Sequence, residues 1–171
     1  NRAGWPGQQT EPPADAADLE LANNLPFSVP PLAGRWTLSI LLGVRSNDLH
    51  GYAPTDFQEF AAAQLGEEAQ EEHCLRAATD DDVEGDIHAT TRCQQFIIER
   101  AKEALGQTTD IDLNASEQVR TALRFQNIHV DVSRYAYRLV QALHALQDSY
   151  THTLREPTTD AIVHVFNYVD P

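Results

Sequence analysis

Blocks of apolar and polar positions predict helices over most of the chain after residue 33. The apolar run at 36–45 predicts a short buried helix, with a buried strand as the alternative because periodicity cannot separate the two over so few residues. Thr55 and Gln58 match a capping box at the start of an Ala- and Glu-rich helix predicted to reach residue 77. A further helix is predicted from about 86 to 105, closed by Gly106.

The second half of the chain carries the longest amphipathic pattern. Asn114 or Ser116 is a suitable cap for a shorter helix that reaches about residue 126. Ser133 then begins a long helix that ends before Pro157. Its predicted buried face carries Leu139, Val140, Leu143 and Leu146. The β-branched and aromatic tail at 162–169 predicts a strand or an extended edge segment.

Prolines dominate the first part of the chain and deny it regular hydrogen bonding. We therefore predict two regions, an extended proline-rich arm at 1–33 and a helical metal-binding domain at 34–171. The predicted fold class is mainly α, a single-domain helical bundle with that arm and a short extended C-terminal segment. Such an arm could contact a protein partner or anchor the domain in a larger assembly.

Composition and charge restrict the partners. The 171 residues are 42% hydrophobic and carry 26 acidic against 12 basic side chains, for a net charge of −14. Such a surface repels nucleic-acid phosphates, so we expect no direct nucleic-acid binding. No apolar run approaches the ~20 residues of a transmembrane helix. The chain has no methionine, so we expect a processed mature protein or an excised fragment, from which any signal peptide has been removed.

Two cysteines, Cys74 and Cys93, lie 19 residues apart. Buried free thiols are one interpretation, but the even count and the neighbouring helices favour a disulfide. A disulfide would place the protein outside the cytosol, in a secreted, periplasmic or extracellular setting.

The chemistry-bearing pattern is the segment QALHALQDSYTHTL at 141–154. His144, Asp148 and His152 follow at i, i+4 and i+8, so one helical face presents all three over about 12 Å. Two imidazoles and a carboxylate are a common ligand set for zinc. Either two ions share a bridging Asp148 with one histidine each, or one ion binds His144 and Asp148 while His152 has another role.

A metal at this face needs ligands from elsewhere in the chain. His73 and Asp48 are the leading candidates; His164, His50 and His88 follow, and His129 is more typical of packing or surface. A weaker calcium pattern, D-x-D-x-E-G, occurs at 80–85, but the twelfth position is Thr91, where a bidentate Glu belongs. A solvated acidic face is the favoured interpretation there, with weak calcium binding as the alternative.

The segment HALQDSYTHT at 144–153 resembles the H-x-x-x-D-x-x-x-H helix of the zinc-dependent phospholipase C and single-strand nuclease superfamily. It is most similar to the branch of the heterokaryon-incompatibility C proteins. The resemblance implies an α-helical fold with one to three zinc ions that cleaves phosphodiester bonds. It also implies that Asp148 bridges the metals and acts in catalysis, and that Asp48, His73, His144 and His152 are ligands.

Two hypotheses about function follow. The first is a secreted zinc-dependent phosphodiesterase-like protein that uses metal-bound hydroxide on a phosphoester. Its substrate would be a small phosphoester or a lipid headgroup, because the acidic surface disfavours a long polynucleotide. The second is a non-catalytic structural or binding domain of the same fold that acts in a larger assembly.

Overall fold

The computed structural model describes residues 34–53, 55–80, 82–106, 111–123 and 126–168, together with Pro13, Ala16 and Asp18. The helices with described bounds are α1 (Arg35–Leu49), α2 (Phe57–Leu65), α3 (Glu67–Glu72), α4 (Asp82–Leu105) and α5 (Arg134–Thr151). The strands are β1 (Ser116–Leu123), β2 (Gln126–Ser133), β3 (Thr153–Arg155) and β4 (Ile162–Val165). Except for three of its residues, the predicted arm at 1–33 lies outside the described part.

The fold is mixed α/β, so the prediction of a mainly α, single-domain helical bundle is wrong. Helices are accompanied by two small antiparallel sheets, β1–β2 and β3–β4. The main error is the helix predicted from 114–116 to 126, which is strand β1, paired antiparallel with β2. Val119 and Thr121 are buried, while Gln118 before them and Arg120 between them are exposed, a period of two that is typical of a half-buried strand.

Helix α1 settles the helix-or-strand alternative in favour of a helix, and it is longer than predicted. It runs from Arg35 to Leu49. It ends at His50, whose φ of 48° is left-handed and whose N–H bonds to the carbonyl of Ser46. Gly51 follows with φ of 74°, so the chain turns sharply after the last helical residues. This turn leaves Asp48 in the final turn of the helix.

The long helix predicted from Thr55 to residue 77 is divided in two. The chain leaves the α region at Gly66, where ψ is 146°, and this break separates α2 from α3. The cap residue is Asp56, without a side-chain capping bond, so the capping box predicted from Thr55 and Gln58 is wrong. Because α3 stops at Glu72, His73 lies in a turn after the helix.

Helix α4 starts at Asp82 and ends as predicted. Gly106 has φ of 79° and its N–H bonds to the carbonyl of Lys102 at 2.9 Å. The predicted disulfide is confirmed, since Cys93 on this helix is bonded to Cys74 with an S–S length of 2.03 Å. The bond connects α4 to the turn that carries His73.

Helix α5 begins at the predicted cap, but its buried face is different. The Ser133 hydroxyl accepts from the Ala136 N–H at 3.5 Å. Leu143 and Leu146, predicted to be buried, are 52% and 42% exposed. The buried positions are instead Ala136, Tyr137, Gln141, Ala142 and Ala145. This helix packs on both α1 and α4, and small side chains allow two helices to approach it closely.

Two clusters of buried side chains hold these elements together. The first joins α1 to the β1–β2 hairpin and α5, through Leu38, Leu42, Val119, Val132 and Tyr137. The second joins α4 to α5 around the disulfide, through Cys74, Cys93, Phe96 and Ala145. Both clusters include residues of α5, so this helix is the central element of the fold.

The C-terminal segment contains a strand, one of the two alternatives predicted for it. Residues 162–165 form strand β4, paired with β3, so the strand alternative predicted for this region is confirmed. Among the helices of the described part, none is both long enough and apolar enough to cross a membrane.

Replacing Gly43 by alanine is expected to destabilise the fold, although alanine is the better helix former. A Cβ there would lie 2.8 Å from the Tyr137 carbonyl oxygen and still closer to Val140 Cγ1. Overpacking of this kind costs about 1–3 kcal/mol, more than the ~1 kcal/mol that alanine contributes by propensity. Thermal unfolding measures the effect. Gly106→Ala is the comparison for backbone strain without overpacking, since φ is 79° there and an added Cβ meets no heavy atom within 4 Å. A higher melting temperature for Gly43→Ala would contradict the close packing of α1 on α5.

Candidate metal centre

Three segments of the chain bring four potential ligands together. Asp48 comes from the last turn of α1, His73 from the turn after α3, and His144 and Asp148 from adjacent turns of α5. His73 is 4% exposed, while the side chain of Asp48 is 50% exposed. The cluster therefore has a buried side at His73 and a side open to solvent at Asp48.

Three distances within this cluster are close to the edge length of a metal-ligand tetrahedron. Asp148 Oδ2 lies 3.1 Å from His73 Nδ1 and 3.2 Å from His144 Nε2. His144 Nε2 lies 3.4 Å from Asp48 Oδ1. Four ligands at ~2.0–2.1 Å from a zinc ion are about 3.3 Å from one another. Ligand atoms of Asp48, His73 and His144 all lie within 4.8 Å of one another.

The hydrogen bonding of His73 leaves one ring nitrogen suited to a cation. Its Nε2 lies 3.1 Å from the main-chain carbonyl oxygen of Asn47. A carbonyl can only accept, so Nε2 carries a hydrogen. In the neutral ring Nδ1 then presents a lone pair toward the Asp148 carboxylate, which is repulsive unless a proton or a metal ion lies between them. Metal-binding histidines commonly donate their other N–H to a backbone carbonyl in this way.

His144 has a second ring nitrogen that faces the carboxylate of Asp148. Its Nε2 is buried and makes no hydrogen bond of good geometry with any described atom, although two carboxylates lie close to it. Asp148 and then Asp48 raise the pKa of His144 to about 10, against the effect of burial. In the metal-free protein the ring is therefore protonated at neutral pH.

Asp148 is the residue common to both histidines. Burial by itself would raise the pKa of this carboxyl, but His144 and His73 beside it lower the pKa well below its usual range. The carboxylate is therefore ionised at every pH at which the protein would operate. A charged oxygen held between two imidazole nitrogens is a suitable ligand for a divalent cation.

Zinc affinity is expected to rise with pH. Because the proton on His144 must leave before zinc binds, affinity should increase about tenfold per pH unit for each proton released, between about pH 6 and pH 8.5. Asp148 is already ionised and adds nothing to this slope. Competition with a chromophoric chelator measures the affinity. His129→Ala, at an exposed position on β2, is the control for histidines in general. An affinity that stays constant or falls with pH contradicts the assignment of His144.

His152 lies beside this cluster and contacts the backbone of the turn that carries His73. It caps α5, and its Nδ1 lies 2.7 Å from the main-chain carbonyl of His73. That ring nitrogen therefore donates to the backbone and holds the turn that carries His73. The geometry favours the alternative in which one ion binds His144 and Asp148 while His152 has another role. Direct ligation by His152 stays a prediction.

Three further histidines lie away from the cluster, either paired with acidic residues or at the surface. His164 Nδ1 lies 3.3 Å from Asp86, and His88 Nδ1 lies 3.7 Å from Asp80. His129 is exposed on β2.

Two residues of the weak calcium pattern, Asp82 and Glu84, lie in the first turn of α4, which begins at Asp82. Asp80 pairs with Arg92 at 2.7 Å. Weak calcium binding by these residues stays a prediction.

A cavity of about 890 Å³ is lined by residues close in the chain to Asp48 and His73, and of these only His50 is a candidate from the sequence. His50 and Glu72, two of its lining residues, stand two positions after Asp48 and directly before His73. The Nδ1 of His50 lies 3.5 Å from Glu72 Oε2. Burial raises the pKa of Glu72 to about 7, and burial followed by the charge of His73 lowers the pKa of His50. No pattern in the sequence indicates that His50 and Glu72 pair, because their contact depends on tertiary packing.

The donor set fits a zinc-type ion. Two imidazole nitrogens and two carboxylate oxygens are borderline to hard ligands, and one of the nitrogens is buried without a hydrogen bond to the described residues. Comparison with known proteins adds no further constraint. The chain matches no protein-family model, no curated protein and no solved structure.

Proposed function

We propose that this protein is a zinc-dependent phosphodiesterase-like hydrolase whose metal is held by Asp48, His73, His144 and Asp148. One observation carries the proposal. Nitrogen and carboxylate oxygen atoms from three separate segments converge at 3.1–3.4 Å, and the two converging nitrogens, Nδ1 of His73 and Nε2 of His144, both face the carboxylate of Asp148. The resemblance of 144–153 to the zinc-dependent phospholipase C and nuclease superfamily supports phosphodiester chemistry.

Each ligand has a distinct part in this proposal. The buried His73, held by the Asn47 carbonyl, and the α5 pair His144 and Asp148 anchor the ion. Asp48, with a side chain that is 50% exposed, lies on the side that solvent and substrate reach. A bound zinc ion would supply Lewis acidity and lower the pKa of a coordinated water toward neutrality.

Charge and location limit the substrate. The net charge of −14 disfavours a long polyanion, so the proposed substrate is a small phosphodiester or a phosphorylated headgroup. The Cys74–Cys93 disulfide supports an oxidising compartment, secreted or periplasmic.

The test is phosphodiester cleavage by protein with and without metal. Protein purified without added metal is first analysed for its metal content, then stripped with chelator and reloaded with zinc. We expect cleavage of a small chromogenic phosphodiester only in the loaded form, and loss of that activity in Asp148→Asn. Activity that is indifferent to chelator and to this substitution would end the proposal.

A structural metal domain is the second candidate, and one observation favours it. Four protein ligands would fill the tetrahedral shell of zinc, as they do in structural sites. Zinc that binds in a 1:1 ratio and raises the melting temperature, without turnover of any phosphodiester, would favour this candidate. Because Asp48 is half exposed, Asp48→Asn separates the two: a catalytic site loses activity, while a structural site loses stability.

A further inference from the structure

Asn114, Ala115 and Ser116 form the triplet Asn-X-Ser, which is the acceptor motif for N-linked oligosaccharides when X is not proline. Among the seven asparagines of the chain, Asn114 alone has a serine or threonine two positions further on. Because a pattern of three residues recurs by chance, the placement of the triplet in the fold decides whether it can carry a sugar chain.

The triplet lies in a turn directly before β1. The N–H of Asn114 donates to Asp112 Oδ1 at 3.0 Å, and the N–H of Ala115 donates to the Asp112 carbonyl at 3.3 Å. Bonds from an aspartate to the residues that follow it are typical of turns. The Ala115 carbonyl also accepts from the N–H of Arg134 at 3.0 Å. Hydrogen bonds of the main chain and of Asp112 therefore hold the backbone around Asn114.

The two side chains that the motif requires are free of such bonds. Asn114 and Ser116 are both exposed to solvent. Within the described part of the chain, Asn114 is bonded only through its backbone N–H, so its side-chain amide has no partner there. The hydroxyl of Ser116 likewise makes no hydrogen bond with the described residues. A bulky sugar chain on Asn114 Nδ2 would thus extend into solvent without breaking a contact of this part of the fold.

The disulfide supports the compartment that this modification needs. The Cys74–Cys93 bond favours a chain that passes through an oxidising compartment, and the lumen of the endoplasmic reticulum is one of these. N-linked oligosaccharides are transferred to proteins in the same lumen. The motif and the disulfide are separate observations, and both are typical of a secreted chain.

The triplet is also remote from the candidate metal centre. Ser116 pairs with Ser133 in the β1–β2 hairpin, and Ser133 is the cap at the start of α5. His144 and Asp148 lie about three and four turns further along this helix, which corresponds to roughly 16–22 Å. A sugar chain on Asn114 would therefore leave the metal cluster uncovered.

We propose that Asn114 is an acceptor site for an N-linked oligosaccharide. The donor class is an oligosaccharide joined through pyrophosphate to a polyprenol, and an oligosaccharyltransferase carries out the transfer. A bond forms between Asn114 Nδ2 and C1 of the first sugar, while the bond between C1 and the pyrophosphate oxygen breaks. The polyprenyl pyrophosphate leaves, the amide loses one proton, and no electron is transferred. Neither a metal ion nor the hydrolytic function proposed above enters this step.

The experiment is expression of the full chain behind a secretion signal in a eukaryotic host, followed by intact-mass measurement. Secreted and cell-retained protein are both measured, because the transfer takes place before export. We expect a gain in mass that an amidase specific for N-glycans removes, leaving aspartate at position 114. The gain is expected to be lost in Asn114→Gln and in Ser116→Ala, which keeps the asparagine and removes the hydroxyl. Asn127→Gln is the matched control, since Asn127 is also exposed but is followed two positions later by His129.

Three results would overturn this proposal: unmodified mass of the parent chain in both fractions, a sugar chain that persists in Asn114→Gln, or full modification of Ser116→Ala. Loss of the sugar chain in Asn127→Gln would equally contradict the assignment to the triplet. None of these readouts uses zinc or a phosphodiester, so their outcome is independent of the test of the proposed function.

Discussion

Replacing Asp148 by asparagine is expected to lower zinc affinity by at least about a hundredfold. The loss of a partner that only hydrogen-bonds to a ligand typically costs about tenfold to a hundredfold, and loss of a ligand's charge should cost more. The substitution keeps the shape of the side chain and removes the charge that lies 3.1 Å from His73 Nδ1 and 3.2 Å from His144 Nε2. Because both histidines contact this oxygen, loss of the charge weakens the site beside both of them. Competition with a chelator of known affinity measures the change.

The matched control for this substitution is Asp131→Asn. Asp131 is exposed on β2 and belongs to the same residue type, so it reports the effect of removing one negative charge. We expect its zinc affinity to equal that of the parent protein within error. If Asp148→Asn binds zinc as tightly as Asp131→Asn does, Asp148 is not a ligand and the centre must be reassigned.

Removing the disulfide by the double substitution Cys74→Ala and Cys93→Ala is the change with the largest expected effect on stability. Closure of a loop between residues 19 apart contributes about 3 kcal/mol in the chain-entropy model. For a chain of this size the loss corresponds to about 6–12 °C in melting temperature. Thermal unfolding with and without zinc measures it.

The same variant also tests the connection between the disulfide and the metal centre. Cys74 follows His73 directly, and the bond to Cys93 attaches that turn to α4. We therefore expect zinc affinity to fall together with the melting temperature. Ser39→Ala, which leaves the Ser133 N–H without its 2.8 Å partner, is a control that destabilises the fold at α1 and β2. Equal zinc affinity in the cysteine variant and the parent would show that the turn keeps its geometry without the disulfide.

Patterns confined to a few neighbouring residues predicted parts of the fold. The glycine at 106 ends α4 because φ of 79° is unfavourable for other residues. The hydroxyl of Ser133 marks the start of α5 because it accepts from the N–H of Ala136, only three residues further along the chain. The cap pattern at 114–116 favours a helix where β1 lies, although the alternation of Val119 and Thr121 is the signal of a half-buried strand.

Other parts depended on contacts between distant elements. The positions of Leu143 and Leu146 follow the expected helical period, yet α5 is enclosed by α1 and α4 on other faces, and these leucines are 52% and 42% exposed. Periodicity identifies faces of a helix, but the neighbouring elements decide which face is covered. The buried face is the one that carries the small residues Ala142 and Ala145.

For the candidate site, the sequence by itself determined that His144 and Asp148 share one face of a helix, because a spacing of four residues leaves no alternative once the helix forms. It also named Asp48 and His73 as further ligands, without a distance. Only the tertiary structure decided that His73, 75 residues from Asp148, reaches the same face, and that His152 instead bonds the backbone of His73. The physical reason is that a contact across many residues depends on how separate elements pack, and local chemistry along the chain does not encode that packing.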